Sequence, residues 1–315
     1  MNAEQAIENQ LLAEPVSSQI SDSEFRLFRE LIYRHAGIAL ARSKKALLEA
    51  RLAKRLRELG LKSFADYYER VVNNPDGAEL VQLLDRIATN ETHFFREPRQ
   101  FEFLEQQVFP LWTAQAVKGL KERHIRIWSA GCSTGEEPYS LAMLLQDRFS
   151  IASGWEIEIL ATDISTRALN AARMAEWPIA KAEEIPEEFL KRFMLRGTGA
   201  QTGKMKAGPE VVSLVHFERL NLNADTYPVS GRFDAIFCRN VLIYFDAPSR
   251  RRAIERLLDF LAPAGFLFVG HAETLNGLTD RARHVVPTVY ACAGNDFVPS
   301  DKAHSSAPRM IKTIS

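Results

Sequence analysis

Apolar residues recur along this chain at two different spacings, and the change from one to the other divides it. From Ser21 the spacing is helical. Ser21-Asp-Ser-Glu24 has the form of a capping box, in which Ser and Glu side chains each satisfy a backbone N–H at the start of a helix. Phe25, Leu27, Phe28, Leu31 and Ile32 then give one apolar face, and Gly37 ends it. A second helix is expected over residues 43–59, with Leu48, Leu52, Leu56 and Leu59 as its stripe and Gly60 as its stop. Two more are expected near 63–72 and 77–88, so residues 21–90 read as a small all-helical domain.

From about residue 98 the pattern alternates. A helix over 99–112 leads into short β-branched or aromatic runs at 124–129, 156–162, 212–218, 233–238 and 265–270, which suit central strands. Helices are expected between them at 137–147, 165–175 and 249–262. This order predicts an α/β fold with a doubly wound, mostly parallel sheet over residues 91–293. A late strand at 288–293 closes one edge. Residues 195–212, rich in Gly, Thr and Lys around 196–209, interrupt the alternation as a small β insertion, read as a hairpin. Residues 1–20 and 294–315 read as loose tails.

Composition adds exclusions. With 315 residues, 46% hydrophobic and 25% charged, the chain is of soluble globular type, and Lys+Arg equals Asp+Glu at 40 each. That balance gives no overall basic signature for nucleic acid. Locally it is uneven: 12 Lys/Arg stand against 5 Asp/Glu between Arg26 and Arg70, and Arg51, Lys54 and Arg57 flank the second helix. No secretory signal is visible, and no apolar run approaches the ~20 residues that cross a bilayer. Cys132, Cys238 and Cys292 have no metal spacing, so no metal is expected, and they fit a reducing, cytoplasmic setting.

The candidate chemistry gathers at strand ends. Trp128-Ser-Ala-Gly-Cys-Ser-Thr-Gly-Glu-Glu-Pro-Tyr-Ser140 is a glycine turn between a strand and a helix. Gly131 and Gly135 permit close backbone approach to a ligand. Glu136 and Glu137 suit the helix dipole but would repel a pyrophosphate, which argues against a dinucleotide and for a ligand with a ribose and an ammonium group. S-adenosylmethionine has both. Asp163, roughly 30 residues on, is placed to accept ribose hydroxyls. The fourth strand ends in Phe237-Cys-Arg-Asn-Val-Leu-Ile-Tyr-Phe245, with Asn240 and Tyr244 at the mouth. Ahead of the sheet, Asn90-Glu-Thr-His-Phe-Phe-Arg-Glu97 offers Asn90, Thr92 and Arg96 to the amino-acid end of a ligand, with Phe94 and Phe95 as anchors between the two domains.

These segments, with Gly270-His-Ala-Glu-Thr274, closely resemble the CheR-type chemotaxis receptor glutamate O-methyltransferases over residues 21–293. The resemblance implies a class I methyltransferase fold and methylation of glutamates on the cytoplasmic helical bundle of methyl-accepting chemoreceptors, with S-adenosylhomocysteine as product. It implies that Asn90, Thr92, Arg96, Gly131, Glu137, Asp163, Asn221, Leu222, Asn240 and Val241 line the cofactor. Arg96 and Tyr244 would orient the reacting groups. Arg51, Lys54 and Arg57 would meet the receptor, and the β insertion would hold a receptor C-terminal peptide. His271 is expected to be structural, and the chain to be a monomer without membrane insertion. A dehydrogenase is disfavoured by Glu136 and Glu137. A nucleic-acid methyltransferase is disfavoured by Arg239-Asn-Val-Leu-Ile-Tyr, where an Asn-Pro-Pro-Tyr-like run would be usual. A non-catalytic adaptor or a methyltransferase for another protein is the remaining alternative.

Overall fold

The chain divides between Thr89 and Asn90 into two compact units. The structure, a computed structural model, describes residues 19–149 and 153–299. The expected tails therefore lie outside the described residues over 1–18 and 300–315.

In the first unit, α1 (Asp22–Ala36) opens on the full capping box at Ser21 and ends at Gly37, whose φ of 71° is the left-handed conformation glycine adopts without strain. The second helix, α2 (Lys45–Glu58), starts later than its periodicity suggested, after a 3-10 turn at Arg42–Lys44. Then come α3 (Phe64–Val72), capped by Ser63, and α4 (Ala78–Ile87). Phe25, Phe28, Ile32, Leu48, Leu52, Leu56, Phe64, Tyr67 and Leu83 form the core. Each such side chain contributes about 1.5–3 kcal/mol by leaving water. Leu27, placed by its spacing on the apolar face, is instead exposed. Arg55 donates from Nε and Nη2 to both oxygens of buried Glu79 (2.8 and 2.7 Å), and Arg55 and Arg86 both reach Glu58.

The second unit begins with α5 (Pro98–Phe103) and α6 (Phe109–Val117), joined by a π-helical turn at Leu104–Val108. Pro110 has no N–H for the helical ladder, and the wide turn sits where that ladder is interrupted. The seven-stranded sheet runs β6-β2-β1-β7-β8-β10-β9, from β1 (His124–Ala130), β2 (Glu156–Asp163), β6 (Val215–Arg219), β7 (Phe233–Cys238), β8 (Leu261–Val269), β9 (Ala282–Val286) and β10 (Val289–Cys292). The first five are parallel neighbours, and only β10 and β9 are antiparallel. Helices α7 (Glu136–Arg148), α8 (Thr166–Met174) and α10 (Ala247–Phe260) supply crossovers. Ala235, Phe237, Phe266 and Phe268 face one core, while Ile236, Cys238, Leu267 and Val269 face the other, so the central strands read as unbroken apolar runs.

Four expectations need correction. The late strand, β10, does not close the sheet edge, because β9 pairs antiparallel outside it. The small sheet draws β3 (Glu176–Pro178) as well as the expected hairpin, β4 (Met194–Arg196) and β5 (Lys204–Ala207), in the order β3-β5-β4. A 3-10 segment (Ile179–Glu184) and α9 (Glu187–Phe193) lie between them. Residues 209–212 make a helical turn, since Pro209 suits a helix start, so β6 begins at Val215. The last segment is packed as far as Phe297, whose ring lies 5.1 Å from that of Phe266. Among the described residues no helix is long and apolar enough to cross a membrane.

Candidate active site

The chain runs outward from β1 through β2 to β6, then returns to β7 on the other side of β1, so the strand order reverses between β1 and β7. A crevice opens at the carboxyl ends of strands at such a reversal. The glycine turn leaves β1 there. Gly131 and Cys132 both donate N–H to Thr162 O (2.7 and 2.9 Å). Gly131 has φ 93°, and a Cβ on it would lie 2.3 Å from Val241 Cγ2, so only glycine fits beneath Val241. Asp163, ending β2, accepts N–H from Ser133 on one oxygen (2.8 Å) and from Ser165 on the other (2.9 Å). Ser133 Oγ donates to Asn90 O (3.0 Å), bringing Asn90 to the same turn. Leu220 donates N–H to Asp163 O (3.0 Å), which brings Asn221 and buried Leu222 alongside.

Glu136 and Glu137 diverge although adjacent. Glu136 is buried and turned away: Oε2 accepts from Thr134 Oγ1 and Oε1 from Lys181 Nζ, both 2.7 Å. Lys181 also donates to Thr92 O (2.9 Å). Glu184 accepts the N–H of Phe94 (2.9 Å). Glu137 points to the strand ends, accepting from Ser129 Oγ (2.6 Å) and from Arg239 Nη1 (3.1 Å). Burial pushes its carboxyl above the usual range, against the pull of Arg239.

Arg239 is the centre of this arrangement. Its side chain is 2% exposed and lies between Glu137 and Glu97, the latter at 3.3 Å, while Nη2 donates to Arg96 O. Buried Glu97 and the largely covered Glu137 thus share one guanidinium. Around it the backbone is strained: Phe95, Glu97, Ser133 and Asn240 all have φ between 50° and 61° without being glycine. Phe95 and Glu97 flank Arg96, whose Nη1 reaches back to Glu91 O (3.3 Å). Phe94 and Phe95 pack against Trp177, Phe101 and Phe189 inside this unit.

The remaining expected residues are placed as follows. Tyr244 is half-buried in the turn Leu242–Tyr244 and packs on the core that faces α10. His271, expected to be structural, is exposed, with its N–H on Glu97 Oε1 (3.1 Å). Arg51 is half-buried and donates to Ile87 O and Thr89 Oγ1, whereas Lys54 and Arg57 are exposed. Glu97, Arg239 and Glu273 are polar residues of this centre to which no role was assigned from sequence; all three lie inside the motifs read there.

The description "CheR methyltransferase, SAM binding domain" matches residues 90–291, and "CheR methyltransferase, all-alpha domain" matches residues 23–88. The chain belongs to the CheR methyltransferases. Chemotaxis protein methyltransferase 2 of Pseudomonas aeruginosa is 40% identical over 272 residues, covering 86% of this chain and 93% of that protein. The chemotaxis protein methyltransferases of Escherichia coli and Borreliella burgdorferi are 39% and 35% identical, covering 86% of this chain and 91% and 94% of theirs. This CheR methyltransferase is therefore an S-adenosylmethionine-dependent enzyme, and its donor set fits that cofactor. A largely buried cluster with one more carboxylate than guanidinium favours a cationic ligand.

Proposed function

We propose that this enzyme transfers the methyl group of S-adenosylmethionine to glutamate side chains on the cytoplasmic helical bundle of chemoreceptors, giving glutamyl methyl esters. The surplus of buried carboxylate around Arg239 is the observation that carries the reading, together with relatives named as chemotaxis methyltransferases. When bound, the cofactor supplies an electrophilic methyl on a sulfonium sulfur. Asn90, Thr92, Gly131, Asn221, Leu222, Asn240 and Val241 line its cleft, Asp163 accepts from the ribose, and Glu137 takes the cationic end. Arg96 pairs with the carboxylate end.

A glutamate with a pKa near 4.3 is already ionised at neutral pH, so the enzyme needs no general base. Its work is to hold the acceptor carboxylate in line with the methyl, the near-attack arrangement by which proximity lowers the barrier. Arg96, fixed by two left-handed neighbours, and Tyr244, on the turn after Asn240, orient the groups. Attack merges opposite charges, so exclusion of water favours it.

Lys54 and Arg57 present positive charge to an acidic receptor face, with Arg51 at its margin. The small sheet has two edges, β3 and β4, either of which suits an extended receptor C-terminal peptide as an added strand. Such tethering raises local substrate concentration without altering the chemistry. The enzyme acts in the cytoplasm as a monomer. Incubation with tritiated S-adenosylmethionine and receptor-bearing membranes tests this: base-labile label released as methanol from a receptor band is expected. Label on nucleic acid, or none, refutes it.

A further inference from the structure

Buried Glu273 has no part in the reading above, yet its carboxylate gathers three backbone amides from two strand ends. Oε2 accepts the N–H of Gly270 (2.6 Å) and of Asn240 (2.9 Å), and Oε1 accepts that of Ile243 (3.1 Å). Gly270 follows β8, while Asn240 and Ile243 follow β7. The two ends meet closely: a Cβ on Gly270 would lie 2.6 Å from Asn240 Nδ2, 2.8 Å from Asn240 N and 2.9 Å from Glu273 Oε2. Asn240 stands at φ 59°, a left-handed conformation that Asn tolerates at some cost. Bonds from amides to an ionised acceptor are roughly twice as strong as neutral ones and offset that cost. Beyond Asn240 the chain crosses Gly131 through Val241 and turns to present Tyr244.

We infer that Glu273 is a positioning residue for methyl transfer: by holding the amides of Asn240 and Ile243 it sets the cofactor-facing loop after β7. Glutamine at this position has the same shape but one carbonyl oxygen and one NH2 group, so one amide or pair of amides would face a donor. The loop would then relax away from Gly131. This inference rests on the reading that Asn240 and Val241 line the cofactor.

The experiment compares wild type with Glu273→Gln for melting temperature, S-adenosylhomocysteine affinity by calorimetry and methyl transfer to receptor membranes. The folded variant is expected to bind the product at least about tenfold more weakly, with a raised KM for S-adenosylmethionine and an unchanged KM for receptor. A purely structural role would lower the active fraction and the melting temperature while leaving affinity per folded molecule as in wild type; that result overturns the inference. If the Gln variant does not fold, Glu273→Asp keeps the charge but withdraws it by one methylene, and the same weakening is expected. Wild-type affinity there, or failure of both variants to fold, also overturns it. Absence of binding by the wild-type protein would instead strike the cofactor reading itself.

Discussion

Arginines organise a polar cluster in each unit of this protein, and the clusters differ. In the helical unit, Arg55 and Arg86 face Glu58 and Glu79, two charges of each sign on regular helices. In the sheet unit, Arg239 is the one arginine between Glu97 and Glu137 among the described residues, with His271 Nδ1 4.0 Å from Glu97, and left-handed residues surround it. The first cluster is electrically closed and serves packing. The second has one more carboxylate than guanidinium, and its strain persists because neighbouring strands over-determine it. Imbalance combined with strain marks the site; burial of charge alone does not.

The largest effect is expected from Arg239→Met. It leaves two buried carboxylates facing each other without a cation, which costs about 3–5 kcal/mol and lowers the melting temperature by roughly 10 °C or more. Methyl transfer should vanish with it. A variant that melts normally and turns over would erase the distinction between the clusters. Next is Glu137→Gln, which removes one buried charge. Affinity for S-adenosylmethionine should fall about 10- to 100-fold, while the melting temperature holds or rises. Calorimetry beside thermal melting checks this, and the reverse pattern would make the cluster structural.

The same carboxyl sets a pH dependence. Its folded pKa is raised by burial, so the group costs stability as pH rises through the interval from its ordinary value to its folded one. In the function proposed above, the ionised form is the one that receives the cationic end of the cofactor. Affinity for S-adenosylmethionine should therefore climb with pH through the acidic range and level off above it, measurable by calorimetry between about pH 5 and 8. Glu137→Gln should flatten that slope.

Arg55→Met makes the converse test. It should destabilise the helical unit by about 2 kcal/mol, seen by chemical denaturation, with product affinity unchanged. The smallest effect belongs to Lys54→Glu with Arg57→Glu: a several-fold rise in KM for receptor that shrinks with added salt, with cofactor affinity intact. Equal loss of cofactor affinity would show that this flank supports the fold and does not meet a partner.

Much of this was legible in the sequence where the signal is local. The capping box at Ser21, the stop at Gly37, and the apolar runs of β1, β2 and β7 each depend on a few adjacent residues. What depends on distant pairing was not. Glu176–Pro178 is too short to show alternation and becomes a strand only by pairing with Lys204–Ala207. Arg239, Glu97 and Glu273 lie inside legible motifs, but their partners are more than a hundred residues away or are backbone amides, which have no sequence signature. Positive φ at Phe95 and Glu97 is equally silent, since neither residue type announces it.

Lys181 has a mechanical consequence. It follows β3 by three residues and is fastened at once to Thr92 O and to Glu136 on the first turn of α7. Glu184, one short turn later, clasps the N–H of Phe94. The stretch between β3 and α9 is thus pinned at two points to the segment that carries Arg96, so a tilt of the small sheet would pull on that segment along two short links.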